Sequence, residues 1–140
     1  MVEDLLCVTS KCIASFSPTL VRTKLYSLYC IDYTAKFLPH SYHFKANHTG
    51  SVVFCVNYRK APEHPFPAGQ LDVFDSTLFL FQNASKYGFD PNEVIFTGDS
   101  AGGFLSINCW YRFHLSNYHF RPKGISLLYP ALGYTLDTPR

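Results

Sequence analysis

The chain has no apolar run approaching the roughly 18 residues that a membrane-spanning helix needs. Its N-terminal patch Leu5-Leu6-Cys7-Val8 is cut off by Lys11, too short for the apolar core of a signal peptide. These 140 residues therefore offer neither a spanning segment nor a readable address. Charge of one sign is also scarce: the formal balance is +2 and forms no basic stripe, which argues against a nucleic-acid partner. There is no C-x-x-C pair among the five cysteines at 7, 12, 30, 55 and 109, and no histidine at zinc spacing from any of them, so no metal site is expected. Cys55 falls in a strand pattern and Cys109 in a helix pattern, where a thiol is expected to act as a small buried hydrophobe. Low-complexity tracts and internal repeats are missing, and no glycine precedes Gly50.

What is there is a globular composition, 47% apolar and rich in Phe and Tyr, enough for one domain with a sizeable core and too short for two. Asn47-His48-Thr49 and Asn83-Ala84-Ser85 fit the N-glycosylation sequon and, if used, would direct the chain to the endoplasmic-reticulum lumen or secretory pathway.

From residue 51 onward strand and helix patterns alternate. Ser51–Tyr58 reads as a buried strand, followed by a Pro-rich loop and a helix from about Pro67 to Tyr87. Leu71, Phe74, Leu78 and Phe81 form one apolar stripe on that helix, expected to be core, and Gly88 marks its stop. A strand at Val94–Thr97, a helix after it and a strand at Ile125–Tyr129 complete a β-α-β-α-β core. Strands so separated form a parallel sheet with right-handed crossovers, and ligands bind beyond the carboxyl ends of its strands. Residues 1–50 are set apart as a segment of weak periodicity, interrupted by Pro18 and Pro39, in which a helix around Leu25–Phe37 is expected. The fold class is thus α/β, with a partial domain over 51–140.

Gly98-Asp99-Ser100-Ala101-Gly102-Gly103 lies between the second of these strands and its helix. A serine on such a turn is lifted above the sheet in a strained conformation, tolerable when Gly98 and Gly102 carry no side chains. The first backbone N–H groups of the helix, that of Ala101 included, then face a developing oxyanion with the helix dipole behind them. Ser100 is the candidate nucleophile and the Ala101 N–H a partial oxyanion hole. The alternatives are a plain tight turn and a phosphate-cradling loop, but Phe104 stands where the latter would carry its lysine.

Three ordered motifs, Tyr58-Arg59-Lys60-Ala61-Pro62-Glu63-His64-Pro65-Phe66-Pro67-Ala68, then Gly98 to Gly103, then Leu128-Tyr129-Pro130-Ala131-Leu132, resemble the hormone-sensitive-lipase branch of the α/β-hydrolases. The resemblance spans roughly Ser51 to Asp137. It implies a partial α/β-hydrolase fold and a serine carboxylesterase or deacetylase acting on a small-molecule or lipid ester, with arylamides as further substrates. It implies no cofactor. In such families a histidine takes the serine's proton and a carboxylate orients the histidine.

Several parts of that machinery are not at their expected positions. The family's His-Gly-Gly-Gly loop, which supplies further oxyanion donors, lies upstream of the Ser51 strand, in a region that here holds no glycine. His114 follows Ser100 by fourteen residues on one helix, roughly 20 Å away, and His119 is no nearer. His64 sits on a loop expected at the carboxyl end of a neighbouring strand, but within a motif read as structural. Asp137 follows the last strand, whereas the family's carboxylate and histidine come two strands later. Asp99 is expected to be a structural hydrogen-bonding residue, and Arg59 and Glu63 to be structural ion-pair partners. The resulting expectation is a hydrolase fragment inactive by itself, the alternative a non-catalytic module with a binding or regulatory role.

Overall fold

A computed structural model describes residues 6–8, 26–30 and 52–132. Its elements are β1 (Leu6–Val8), β2 (Tyr26–Cys30), β3 (Val52–Val56), α1 (Ala68–Gln82), α2 (Ala84–Tyr87), a single 3-10 turn (Pro91–Glu93), β4 (Val94–Asp99), α3 (Ser100–Leu115) and β5 (Gly124–Leu128).

The strands form one sheet in the order β1-β3-β2-β4-β5. β1 runs antiparallel to β3, and all other pairs are parallel. Over Tyr26–Cys30 the helix expected around Leu25–Phe37 is overturned by β2, and the remainder of that expected helix lies outside the described residues. Tyr26-Ser27-Leu28-Tyr29-Cys30 has a short β-prone aromatic pattern, and it is satisfied on both edges, Leu28 opposite Phe54 of β3 and Phe96 of β4. Two parallel ladders outweigh a weak helical periodicity, so the segment before residue 51 supplies the middle strand. Cys30 stands opposite Gly98, which brings the end of β2 directly beside the turn that carries Ser100.

The remaining elements follow the expected pattern with two adjustments. The long helix breaks at Asn83, whose side-chain amide donates to the Phe79 carbonyl at 2.8 Å and whose backbone N–H also turns back on that carbonyl, leaving α2 as a separate turn that stops at Gly88 (φ 70°). The Asn83 amide of the second sequon is therefore engaged as a helix cap, while Asn47 lies outside the described residues. The buried face of α1 is also rotated from the expected stripe. Leu71 is exposed, Leu78 is half-buried, and Asp72, Val73, Ser76, Thr77 and Leu80 are buried beside Phe74 and Phe81. The reason is packing against α3 as well as the sheet, which widens the covered arc and admits small polar residues where two helices approach.

The core lies between these two helices and the sheet. Phe113 of α3 is fully buried, with ring centroids 5.0 Å from Phe74, 5.2 Å from Phe81 and 6.2 Å from Phe96. On β4 burial alternates, with Val94, Phe96 and Gly98 inward. Cys55 and Cys109 are buried thiols, Cys109 between Thr77 and Val73 of α1.

Candidate active site

β4 ends at Asp99 and α3 begins at Ser100 with no intervening loop, so one residue must absorb the change of direction. That residue is Ser100, whose φ of 48° lies in the left-handed region that side-chain-bearing residues rarely adopt. The turn is closed so tightly that a Cβ at Gly98 would stand 2.4 Å from the carbonyl carbon and oxygen of Gly102. Only glycine fits there. Ser100 is exposed, and among the described residues none hydrogen-bonds its hydroxyl. The Ala101 N–H belongs to the first helical turn, where backbone donors have no intrahelical acceptor.

The segment after β5 straps this turn from outside. Ala131 N–H donates to the Ser100 carbonyl at 3.1 Å, the Tyr129 hydroxyl donates to Asp99 Oδ2 at 3.4 Å, and Pro130 packs so closely on Gly103 that a Cβ there would meet it at 2.9 Å. Tyr129 itself has φ 36°, so two side-chain-bearing residues in positive-φ conformations face each other across β4 and β5. Asp99 thus makes the structural hydrogen bond expected of it. The strap is missed by residue-level sequence reasoning, which sees Leu128 to Leu132 only as a motif of resemblance. Its one local signal is the proline directly after a strand.

The Pro-rich loop is organised by a carboxylate that the sequence reading also missed. Arg59 pairs not with Glu63, which is exposed, but with buried Asp72 on the first turns of α1. The guanidinium Nε and Nη2 donate at 2.7 to 3.1 Å, and the Arg59 backbone N–H adds a third donor at 2.9 Å. Burial by itself pushes the Asp72 carboxyl up. The Arg59 hydrogen bonds and charge, with a smaller contribution from His64, more than reverse this and hold it below the ordinary carboxylate range. The signal in the sequence was an acidic residue between Leu71 and Val73 on an otherwise apolar face.

Of the histidines weighed and set aside as a base, His114 is exposed and stacks on Trp110 at 5.2 Å, near the far end of α3 from Ser100. His119 is exposed beyond that helix. His64 is exposed on the β3–α1 loop, and β3 is not a neighbour of β4 because β2 lies between them. His64 and Ala101 nevertheless line one cavity of about 420 Å³. Asp137 lies outside the described residues. Among the described residues no group of three His, Cys, Asp or Glu side chains could hold a metal ion, and no helix is long and apolar enough to cross a membrane.

A mainly parallel sheet that delivers an exposed serine on a positive-φ turn into a helix is the architecture of α/β hydrolases. The sequence profile of the family described as alpha/beta hydrolase fold matches residues 40–140, and the chain belongs to that family. Its relatives include carboxylesterases and deacetylases. Over 89 residues it is 44% identical to arylacetamide deacetylase of Oryctolagus cuniculus, covering 61% of this chain and 22% of that protein. Over 56 residues it is 45% identical to carboxylesterase NlhH of Mycobacterium tuberculosis, covering 40% of this chain and 18% of the relative. The hyperthermophilic esterase of Pyrobaculum calidifontis superposes with a TM-score of 0.70 at 32% identity, over 79% of this chain and 36% of that one. A thermostable carboxylesterase from a metagenomic library does so with a TM-score of 0.74 at 27% identity, over 82% and 40%. The chain thus spans about a fifth of the length of the curated relatives it matches.

Proposed function

We propose that the chain carries the nucleophile of a serine carboxylic-ester hydrolase, with Ser100 as the attacking residue. The observation that supports it above all is the strained, exposed Ser100 on a turn that tolerates no side chain at Gly98. In the reaction Ser100 Oγ adds to the ester carbonyl carbon while its proton passes to a base, and the carbonyl oxygen becomes an oxyanion within reach of the Ala101 N–H. Collapse expels the alcohol, which takes the proton from the base, and leaves Ser100 acylated. Water then attacks the acyl group by the same route, releasing the acid.

No described histidine bonds Ser100, and the 140 residues are expected by themselves to hydrolyse aryl esters no better than Ser100→Ala. A missing oxyanion donor alone typically costs about 10²–10³ in turnover. The reading is tested with a p-nitrophenyl ester, with and without imidazole as an added base, mapping acylated residues by mass spectrometry. The expected outcome is acylation at Ser100 that depends on imidazole. Acylation spread over other serines, or equal hydrolysis by Ser100→Ala under both conditions, overturns the nucleophile and favours a non-catalytic module. Serine-dependent turnover without imidazole overturns the inactivity of the isolated chain.

A further inference from the structure

The register of the sheet sets two cysteines against each other. β1 runs antiparallel to β3, and its middle residue, Cys7, is the Cα partner of Cys55, between the pairs Leu6 with Val56 and Val8 with Phe54. Directly opposite residues of an antiparallel pair share one face of the sheet, with Cα atoms about 4.5 or 5.5 Å apart according to the hydrogen-bonding site they occupy. A disulfide spans Cα separations of about 4.4 to 6.8 Å, so either kind of site admits the bond.

The other cysteines have no such placement. Cys30 ends β2 opposite Val56, one register position from Cys55, whose own partner on β2 is Tyr29. In a pleated sheet a shift of one position moves a residue to the opposite face. Cys109 lies on α3, with its Sγ 3.6 Å from Thr77 Oγ1 at the contact with α1. Cys12 lies outside the described residues. Among the described residues the register thus singles out one pair. Access favours the same pair: Cys55 is buried, at 3% exposure, but β1 is three residues long and pairs only with β3 among the described residues, so loss of a few backbone hydrogen bonds opens this edge to a small oxidant.

We propose that Cys7 and Cys55 form a redox-sensitive disulfide that staples β1 to β3 under oxidising conditions, with a small-molecule disulfide, oxidised glutathione, as the electron acceptor. The thiolate of one cysteine attacks a sulfur of glutathione disulfide, breaking its S–S bond and expelling one glutathione thiolate. The thiolate of the other attacks the protein sulfur of the mixed disulfide, forming the Cys7–Cys55 bond and expelling the second glutathione. Two protein thiols are oxidised, one glutathione disulfide is reduced to two thiols, and the protons given up by the cysteines are taken up by the departing thiolates. The loop so closed holds about 50 residues and contains β2, whose last residue stands opposite Gly98 of the elbow. Oxidation fixes the antiparallel edge and encloses the middle strand, whereas reduction leaves β1 held by its backbone ladder alone. Neither step depends on Ser100.

The test equilibrates the 140-residue chain with oxidised or with reduced glutathione, in buffer and in concentrated urea. Thiols are trapped by acid and alkylation, and the chain is digested without reduction for mass spectrometry. The expected product in buffer is one linked peptide pair joining Cys7 to Cys55, with Cys30 and Cys109 recovered as thiols, while in urea the linkages scramble. Oxidation should raise the thermal midpoint by about 10 °C. Cys7→Ser is expected to lose both the linkage and the rise, and Cys30→Ser to keep both. Comparing each variant oxidised against itself reduced separates loss of the bond from any effect of the substitution on folding. Linkage of Cys55 to Cys12 or Cys30, the same mixture in buffer and in urea, a chain that stays reduced in oxidised glutathione, or a rise that survives in Cys7→Ser overturns the proposal.

Discussion

At Gly98 a single missing methyl group decides whether the elbow closes. The atoms that a Cβ would strike, at 2.4 Å, are the backbone carbon and oxygen of Gly102, and backbone inside a helix has no side-chain rotation with which to yield. Gly98→Ala should therefore cost about 3 kcal/mol, at the upper end of overpacking effects. Gly124→Ala, where nothing lies within 4 Å, should stay within about 0.5 kcal/mol. Urea denaturation of both variants checks this, and equal stabilities would remove the steric account of the turn. Asp72 makes a second residue-scale prediction. Its folded carboxyl titrates below the unfolded value of about 3.9, so its stabilising effect is complete above that pH and is lost as pH falls through the lower folded value. Asp72→Asn should accordingly be less stable than the parent at pH 7, with the gap closing as the pH falls through the lowered folded value. A gap that persisted or widened in acid would show that the Arg59 pair is not its origin. The tight turn through Gly98 and Ser100 could be read from the sequence because its steric demands are compressed into six consecutive residues. Asp72 could not, because its partner lies thirteen positions away and only the folded loop brings them together.

Between α1 and α3 small polar residues meet where an apolar stripe was expected, and their hydrogen bonding separates tolerated positions from costly ones. Thr77 Oγ1 returns its proton to the Val73 carbonyl at 2.7 Å, and Ser106 Oγ donates to the Thr97 carbonyl of β4 at 2.8 Å. Ser76 Oγ is fully buried with no partner among the described residues. Removing a hydroxyl that bonds nothing should be neutral or stabilising, while removing a bonded one costs about 1 kcal/mol. Ser76→Ala is expected to keep or raise the unfolding midpoint, and Ser106→Ala to lower it. The reverse order in thermal denaturation would mean that Ser76 finds an acceptor in solution. This interface explains why periodicity located α1 but rotated its face. Four apolar residues at helical spacing define a stripe against one neighbour, whereas α1 has the sheet and a second helix to cover. The misreading of β2 has a related cause: Tyr26 to Cys30 acquires its identity from two neighbouring strands that lie far along the chain.

Across the whole molecule the sheet is covered unevenly. The inner strands β3, β2 and β4 are paired on both sides, but β5 pairs only with β4 among the described residues, and apolar side chains accumulate at its end. Leu128 is 45% exposed, Tyr129 73% and Leu132 54%. A strand edge of unpaired backbone groups beside apolar side chains is a template for pairing with another strand. Charge is the usual device against it, yet Gly124 to Leu128 carries none. The strap ties this edge to the elbow through Tyr129, Pro130 and Ala131, so pairing at β5 and the geometry of Ser100 are mechanically linked. The 140-residue chain should therefore self-associate as its concentration rises, which sedimentation velocity would detect. Leu128→Lys places a charge on the edge while leaving the strap residues Tyr129, Pro130 and Ala131 unchanged. It should shift the distribution toward monomer while leaving the amide shifts of Ala101 and Ala131 in place. Self-association unchanged by that lysine would locate the sticky surface elsewhere. Movement of the Ala101 amide on substitution would instead show that the β5 edge and the elbow form one unit, in which any partner strand would also adjust the serine.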